Sequence, residues 1–478
     1  MISELTRAVG AEHVMTDPAQ MASYACDGLT GYRVTPQAVV LPATTDEVAA
    51  CVRICHEAAV PFVARGAGTG LSGGALPVAE GIVICVQRLR SVLDIDLANE
   101  RVTVQPGVTN LAVSAAVAPH GYYYAPDPSS QQVCTIGGNV AENSGGAHCL
   151  KYGFTIHHVL AATFVTADGR IATLGHAVPD SPGIDLLGVV VGSEGTLGIV
   201  TEVVLGILPR PEAIDTLLAA FDSTDAAGDA VSRIIAAGVV PAAIEMMDRL
   251  TIQAAEQAVH AGYPDCEAVL LVELDGPDAE VRSLGPAIDE LCRAAGATEI
   301  RRAETLEQRA LMWKGRKAAF AAMGRVSPDY YVQDGVIPRT KLPEVLRGIR
   351  ELEASYGLRV GNVFHAGDGN LHPLVLYDGA EEGASDRALE VATRILELCV
   401  ASGGSITGEH GVGHDKACSM PKMFTGADLT VMDRVRSAFD PERLSNPGKL
   451  LPTPRLCGEV PGFHRVHPVE AAGLGERF

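Results

Sequence analysis

The first constraints on this chain of 478 residues are negative ones. No stretch approaches the roughly 20 uninterrupted apolar residues that a membrane span requires, so a soluble protein is expected, with docking on a membrane complex left open. Basic residues are outnumbered, 37 Lys and Arg against 58 Asp and Glu, and the formal charge of -21 argues against nucleic acid or an anionic membrane as the default partner. An acidic substrate is still allowed, because its attraction depends on local charge. The eleven cysteines include no CxxC pair, and Cys51 and Cys55 are simply one helical turn apart. With no signal-peptide pattern at the start, reduced thiols in a cytosolic protein are expected, not disulfides or an iron–sulfur cluster. Repeats, low-complexity tracts and runs of charge are absent, and there is a single Trp.

Glycine is what the chain has in quantity. Fifty-one glycines and 47% hydrophobic content point to two or three domains with real cores, many tight turns and sites lined by backbone. The densest run is Arg65-Gly-Ala-Gly-Thr-Gly-Leu-Ser-Gly-Gly74, set between the buried-strand patterns of residues 61–64 and 81–86. Without Cβ atoms, and with φ > 0 allowed, its N–H groups can crowd a diphosphate. It is not the nicotinamide-type GxGxxG, whose spacing differs, nor a Walker loop, which closes on Gly-Lys-Ser/Thr. An ordinary glycine-rich turn is the alternative. Around it, Ala38–Leu41 reads as a strand, Thr44–Glu47 as a capping box opening a helix through Ala59, and Asn110–Ala118 as a second helix. Residues 124–146 show little regular pattern, the mark of a functional loop or of paired tight turns. There Gly137, Gly138, Asn139 and the run from Asn143 to Gly146 offer bare donors and short polar side chains. After a hairpin signal at Asp168-Gly169, residues 192–209 make a third glycine-rich segment beside apolar strands. Three such segments favour one large ligand held by backbone.

Composition changes around Pro209-Arg210-Pro211, and residues 214 to about 420 alternate strand and helix patterns, read as a sheet with helices on one face. Thr305–Met323 is its long helix. In this region His365-Ala-Gly-Asp-Gly-Asn-Leu-His372 places two imidazoles around glycines that would break a helix, so a turn between two strands is expected. Both rings can then converge as divalent-metal ligands do, with Glu409 of Gly408-Glu-His-Gly411 as a third ligand and His410 as a free base beside it. Two neutral His and a carboxylate suit Zn²⁺ or Mn²⁺. The blander alternative is a His pair satisfied by backbone carbonyls. Arg316 is a candidate carboxylate clamp, in competition with Lys314, Lys317, Arg325 and Arg339 and with the reading of a solvated basic face.

Six motifs then occur in order: RGAGTGLSGG, TIGGNVAENSGG (135–146), GSEGTLGIVTE (192–202), HAGDGNLH, GEHGVG (408–413) and FDPERLSNPGK (439–449). Together they resemble the FAD-linked D-2-hydroxy-acid oxidoreductases of the vanillyl-alcohol-oxidase flavoprotein superfamily, of glycolate oxidase D subunit or D-lactate dehydrogenase type. The resemblance runs from about Pro36 to Leu451. It implies an α+β fold: a two-subdomain FAD-binding domain over 1–211, a ferredoxin-like α+β cap with the metal site over 212–420, a segment 421–451 returning to the FAD domain, and a peripheral tail over 452–478. The implied FAD contacts are Arg65, Gly66, Ala67, Gly68, Thr69, Gly70, Ser72 and Gly73 in the first motif. Pro126, Asp127, Thr135, Gly137, Gly138, Asn139, Asn143, Ser144 and Gly145 follow, then Glu194, Gly195, Gly198 and Ile199, and last Asn446. No histidine lies in the 65–74 loop, so no covalent flavin is expected.

The resemblance also carries roles: His365, His372 and Glu409 as ligands of a divalent metal, His410 as the base, Arg316 as the substrate-carboxylate arginine. The implied reaction oxidises a small D-2-hydroxy acid, with electrons passing to an iron–sulfur partner subunit or a quinone chain. Cytoplasmic placement is expected, with attachment at the inner face of the membrane left open. Hydroxyglutarate-type enzymes place Asn where Leu374 stands and Lys where Val332 stands; both departures remove partners for a second carboxylate and favour glycolate or D-lactate. A D-2-hydroxyglutarate dehydrogenase, a flavin-binding subunit without turnover and a flavin-free metallohydrolase are the competing readings.

Overall fold

The computed structural model describes residues 1–178, 183–453, 457 and 475–477, in two compact units. The tail expected over 452–478, with His464 and His467, lies almost wholly outside the described residues. The first unit comprises Met1–Gly145, Phe154–Arg210 and Glu409–Phe478; the second comprises Gly146–Gly153 and Pro211–Gly408. The chain therefore re-enters the first unit at Glu409, ahead of the return at 421 read from the sequence.

The first unit has two layers of strand. β1 (Ala38–Val40), β2 (Phe62–Arg65) and β3 (Ile82–Cys85) are the parallel strands, in the order β1-β3-β2, of a sheet whose β1 edge also pairs antiparallel with Val14–Met15, and α1 (Thr45–Glu57) is the crossover. α1 starts where Thr44 Oγ1 accepts from the amide of Glu47 at 3.1 Å, and it buries Val48, Val52 and Cys55 on one face. The second sheet is antiparallel, in the order β7-β6-β8-β5-β4: β4 (Val92–Asp96), β5 (Arg101–Val104), β6 (Val159–Thr166), β7 (Ile171–Gly175) and β8 (Gly198–Gly206). α2 (Asn110–Val117) and α3 (Ile136–Glu142) pack on it through Val113, Val117, Ile136 and Val140. α3 corrects the irregular reading of 124–146. Thr135 caps it, its Oγ1 accepting from the Gly138 amide at 3.4 Å, and of the two glycines that mask its helical pattern Gly137 is required by close approach: a Cβ there would stand 2.6 Å from Pro106 Cβ.

A second correction concerns the thiols. Cys418 and Cys457 are joined as a disulfide with Cα atoms 5.3 Å apart, where reduced cysteines throughout were expected; the pair is too far apart in sequence, 39 residues, for spacing to reveal it.

The second unit is one antiparallel sheet in the order β12-β9-β11-β10-β14-β15-β13, with Gly335–Val336 also paired to β15. Its elements run β9 (Ala213–Phe221), α4 (Thr224–Ala236), β10 (Ala243–Asp248), α5 (Arg249–Val259), β11 (Ala268–Gly276), α6 (Asp278–Ala294), β12 (Ala297–Arg302), α7 (Leu306–Ala322), β13 (Asp329–Val332), α8 (Leu342–Tyr356), β14 (Arg359–His365), β15 (Asn370–Tyr377) and α9 (Ala384–Ala401). Helices cover both faces of this sheet, not one. Leu217, Met246 and Leu270 pack under α4, α6, α8 and α9, whereas Leu218, Met247, Leu271 and Val363 pack under α5 and α7. The strands are apolar at consecutive positions, so both faces need covering. α10 (Gly426–Phe439) belongs to the first unit, and the segment after it lines the edge of β2: Phe62 N donates to Leu444 O at 2.8 Å and Asn446 N to Phe62 O at 2.7 Å.

Candidate functional site

In the first unit, the three glycine-rich segments and the C-terminal return meet. A Cβ on Gly66 would lie 2.2 Å from Thr135 Oγ1, and one on Gly74 would lie 2.5 Å from Glu142 Oε1. Only glycine permits loop 65–74 to lie this close to α3, and Gly68 and Gly73 also take φ of +71° and +75°. Gly70 faces open space, with nothing within 4 Å of where its Cβ would be. Asn446 stitches the segments: its Nδ2 donates to Gly74 O at 2.8 Å and Glu194 O at 2.7 Å.

Most predicted cofactor side chains here are engaged with protein. The Arg65 guanidinium donates to Ser23 O and Tyr24 O at 3.4 and 3.5 Å. Ser72, fully buried, donates to His410 O at 2.9 Å and accepts through its own carbonyl from the His414 amide. Glu194 accepts from the amides of Val412 and Gly413 at 2.7 and 2.6 Å. Asn143 Oδ1 accepts from Ile156 N at 2.9 Å, Pro126 O accepts from Asn110 Nδ2 at 3.0 Å, and Ile199 is core. Glycine backbone is open in this cradle at Gly70 and at Gly195, where nothing comes closer than 3.8 Å to the missing Cβ; the Gly137 and Gly138 amides already donate to Pro106 O and Thr135 Oγ1, and Cβ atoms on Gly145 and Gly198 would strike Phe154 and Val165. Ala67, Thr69, Asp127, Asn139 and Ser144 sit in the same segments.

Buried charge collects behind this cradle. Burial raises the Glu194 carboxyl to about 7 against the amide bonds it accepts, and Glu142 is pushed up by burial and by the neighbouring Glu194. Burial also raises Asp27 to about 6 and depresses Lys449 to about 8. Sequence reading missed Asp27, Glu142 and Lys449, for nothing in spacing marks a lone carboxylate or lysine as buried. Glu409 and His410 open the return segment of this unit.

In the second unit, the polar side chains interrupt the apolar period on the sheet face under α5 and α7. Glu245 alternates with Ala243 and Met247, His365 with Val363, and His372 with Leu374. The turn 366–369 between β14 and β15 brings the two imidazoles together, ring centres 5.0 Å apart and edge-on, as expected from the motif. Arg339 Nη1 holds that turn by donating to Gly367 O at 2.9 Å. Glu245 stands opposite His365 in register and accepts from its Nδ1 at 2.7 Å. A metal on this ring would then be held through Nε2. Asp334, fully buried, has Oδ1 3.8 Å from His372 Nδ1, and its Oδ2 accepts from Thr407 Oγ1 and Gly408 N at 2.6 and 2.8 Å, fixing the residue that precedes Glu409.

Of the candidate basic residues, Arg316 is buried, only 3% exposed, while Lys314, Lys317 and Arg325 are exposed. Its Nη2 lies 2.5 Å from Glu245 Oε2, and its Nε is buried with no hydrogen-bond partner. One turn earlier on α7, Trp313 Nε1 and the Arg309 guanidinium donate to Glu273 at 2.7–2.8 Å, as does Thr216 Oγ1 at 2.6 Å. His148 Nε2 completes the set at 3.2 Å. Against the penalty of burial, these bonds from His148 and Arg309 hold Glu273 well below the usual carboxylate range. Glu245, Glu273 and Asp334 also escaped sequence reading; for Glu245 and Glu273 a carboxylate within a run of apolar strand residues was the available signal.

Glycine-rich segments packed together in one unit, and a histidine pair with a buried arginine in the other, accompany a clear family match: the chain belongs to the FAD-linked oxidases, an FAD-dependent oxidoreductase family. Residues 36–175 match the family described as FAD binding domain, and residues 210–450 match FAD linked oxidases, C-terminal domain. Among individual proteins, it is 52% identical over 459 residues to the glycolate oxidase subunit GlcD of Escherichia coli, covering 96% of this chain and 92% of that one. It is 32% identical to the D-lactate dehydrogenase of Anaerostipes hadrus, covering 87% of this chain and 90% of the relative. In fold it is similar to 4-ethylphenol oxidase from Gulosibacter chungangensis, with a TM-score of 0.78 at 18% identity, covering 94% and 96% of the two chains. The two-domain α+β flavoprotein architecture expected from the motifs is therefore the one present.

Proposed function

We propose that this protein oxidises a small D-2-hydroxy acid, glycolate or D-lactate, to the 2-oxo acid. The observation that carries the reading is the buried Arg316 beside the His365–His372 pair on one face of the second unit's sheet: a carboxylate receptor next to metal-ligand chemistry. Arg316 binds the substrate carboxylate through donors that Glu245 leaves over, since a guanidinium has five N–H groups. His365, His372 and Glu409 would hold a divalent metal whose chemistry is to lower the pKa of the α-hydroxyl, and bound FAD would supply the hydride acceptor. His410 accepts the hydroxyl proton on an imidazole nitrogen.

The substrate preference is supported by register. Val332 and Leu374 are direct cross-strand partners on β13 and β15, and Leu374 is fully buried. An apolar pair at this point offers nothing to a second carboxylate, which disfavours D-2-hydroxyglutarate. Electrons leave through an iron–sulfur partner subunit or a quinone chain, a reading supported by the relative's designation as a subunit. We place the protein in the cytoplasm or at the inner membrane face; among the described residues no helix is long and apolar enough to cross a membrane.

His410→Ala should keep FAD bound yet slow anaerobic flavin bleaching by substrate at least about 10²-fold, the ordinary contribution of a positioned base. Bleaching at the unmodified rate would overturn the assignment.

A further inference from the structure

Glu245 is a buried carboxylate that neither the motifs nor the reaction scheme uses, and its placement asks for a role. It is 1% exposed, and it touches at once the two groups on which the proposed chemistry depends. Oε1 takes the hydrogen bond of His365 Nδ1 at 2.7 Å, and Oε2 forms an ion pair with Arg316, 2.5 Å from its Nη2. Both partners are nearly as deeply buried, at 4% and 3% exposed. The contact to His365 is built into strand pairing, since Glu245 and His365 are register partners on β10 and β14. The contact to Arg316 comes from α7, which lies over the same face.

We propose that Glu245 is a positioning residue that links substrate-carboxylate recognition to metal retention. One of its oxygens holds the guanidinium of Arg316. The other keeps the His365 proton on Nδ1, so that Nε2 carries the lone pair for the metal. This rests on reading His365 as a ligand and Arg316 as the carboxylate clamp. The physical basis is that a carboxylate can accept from two donors at opposite ends, whereas an amide cannot. In Glu245→Gln, the single carbonyl oxygen turns to the charged arginine, the stronger donor. The amide NH₂ then faces His365, which must accept on Nδ1 and carry its proton on Nε2. A ring in that tautomer has lost its ligand nitrogen.

The test is the Zn²⁺ affinity of the FAD-loaded protein, measured by chelator competition without any turnover. E245Q should weaken Zn²⁺ binding about 10–100-fold, the usual effect of removing a carboxylate behind a ligand histidine, with FAD content unchanged. Adding Arg316→Met should restore the affinity to within a few-fold, because the Gln oxygen is then free to accept from His365. A purely structural role for Glu245 would give no such recovery on removal of a second buried group. If E245Q alone does not fold, R316M/E245Q against R316M/E245L makes the same comparison with no charge buried at either position. The expected result there is tighter Zn²⁺ binding with Gln than with Leu. Undiminished Zn²⁺ affinity in E245Q, or a loss that R316M does not recover, would overturn the proposal. His365→Ala separates this from the underlying reading: undiminished affinity there would overturn the metal site itself, whereas a large loss there beside an undiminished E245Q would overturn only the role of Glu245.

Discussion

Gly66 shows how narrowly a single position can be determined. Its missing Cβ would overlap Thr135 Oγ1, the atom that caps α3, so Gly66→Ala must either displace the glycine loop or uncap the helix. Losing the cap costs about 1 kcal/mol, and moving the loop would disturb the backbone donors proposed to hold the cofactor. We expect G66A to purify with less than half the normal FAD, by absorbance ratio, and Thr135→Ala in the same chain to recover part of it. Full FAD occupancy in G66A would show that the loop lies elsewhere. The glycine run is legible from the sequence alone as a loop that packs closely on other segments, because its composition is a local signal. The fate of its side-chain neighbours is not. Ser72, Arg65 and Glu194 satisfy buried carbonyls and amides from other segments, some hundreds of residues away, such as Ser72 with His410 and Glu194 with Val412, and no local pattern encodes such partners.

α7 is the element on which the second unit's chemistry turns. Arg309, Trp313 and Arg316 follow one face of it, the first two anchored on Glu273 and the third on Glu245. Glu273→Gln would weaken the bonds that Arg309, Trp313 and Thr216 make to a buried charge, where a bond to a charged group is worth about 1.5–3 kcal/mol, while Arg309, 31% exposed, keeps access to solvent. Trp313 is the only tryptophan, so its fluorescence reports the event. We predict a lower urea midpoint for E273Q and a shifted Trp emission in the folded protein; unchanged emission would mean that α7 does not depend on this anchor. Periodicity locates this helix nearly to the residue, Thr305–Met323 against Leu306–Ala322, because a capping Thr and a long helical run are local signals. α3 escapes such reading because its two glycines lower helix propensity, and the first of them, Gly137, is required by its contact with Pro106. The second helical layer escapes it for a different reason. Runs such as Leu217-Leu-Ala-Ala220 are apolar at every position, and only the demand to cover both faces predicts helices on each.

For the molecule as a unit of stability, the buried acids of the first unit set a pH dependence with a definite sign. Asp27 and Glu194 have folded pKa values raised to about 6 and about 7. The folded state therefore binds protons more tightly than the unfolded one between the ordinary carboxylate range and those values. Stability from these groups is present at low pH and is lost as pH rises toward 7, by up to about 1.4 kcal/mol per group per pH unit. Lys449, depressed to about 8, acts only above that, where stability returns as the unfolded chain alone remains protonated. We expect the urea midpoint of the FAD-loaded protein to fall between pH 5 and 7, and the fall to be shallower in Glu194→Gln. A midpoint that rises over this window would contradict the burial of these carboxyls.

Hydroxy-acid oxidation assisted by a metal is the claim on which everything else depends, and one experiment reaches all of it. The purified protein is titrated anaerobically with glycolate, D-lactate, L-lactate and D-2-hydroxyglutarate while the flavin absorbance is followed, then again after chelation and after return of Zn²⁺ or Mn²⁺. Bleaching by glycolate or D-lactate, absent with L-lactate and D-2-hydroxyglutarate, lost on chelation and restored by metal, is the predicted result. A bound flavin that none of the four acids bleaches, or bleaching that survives complete metal removal, would contradict it.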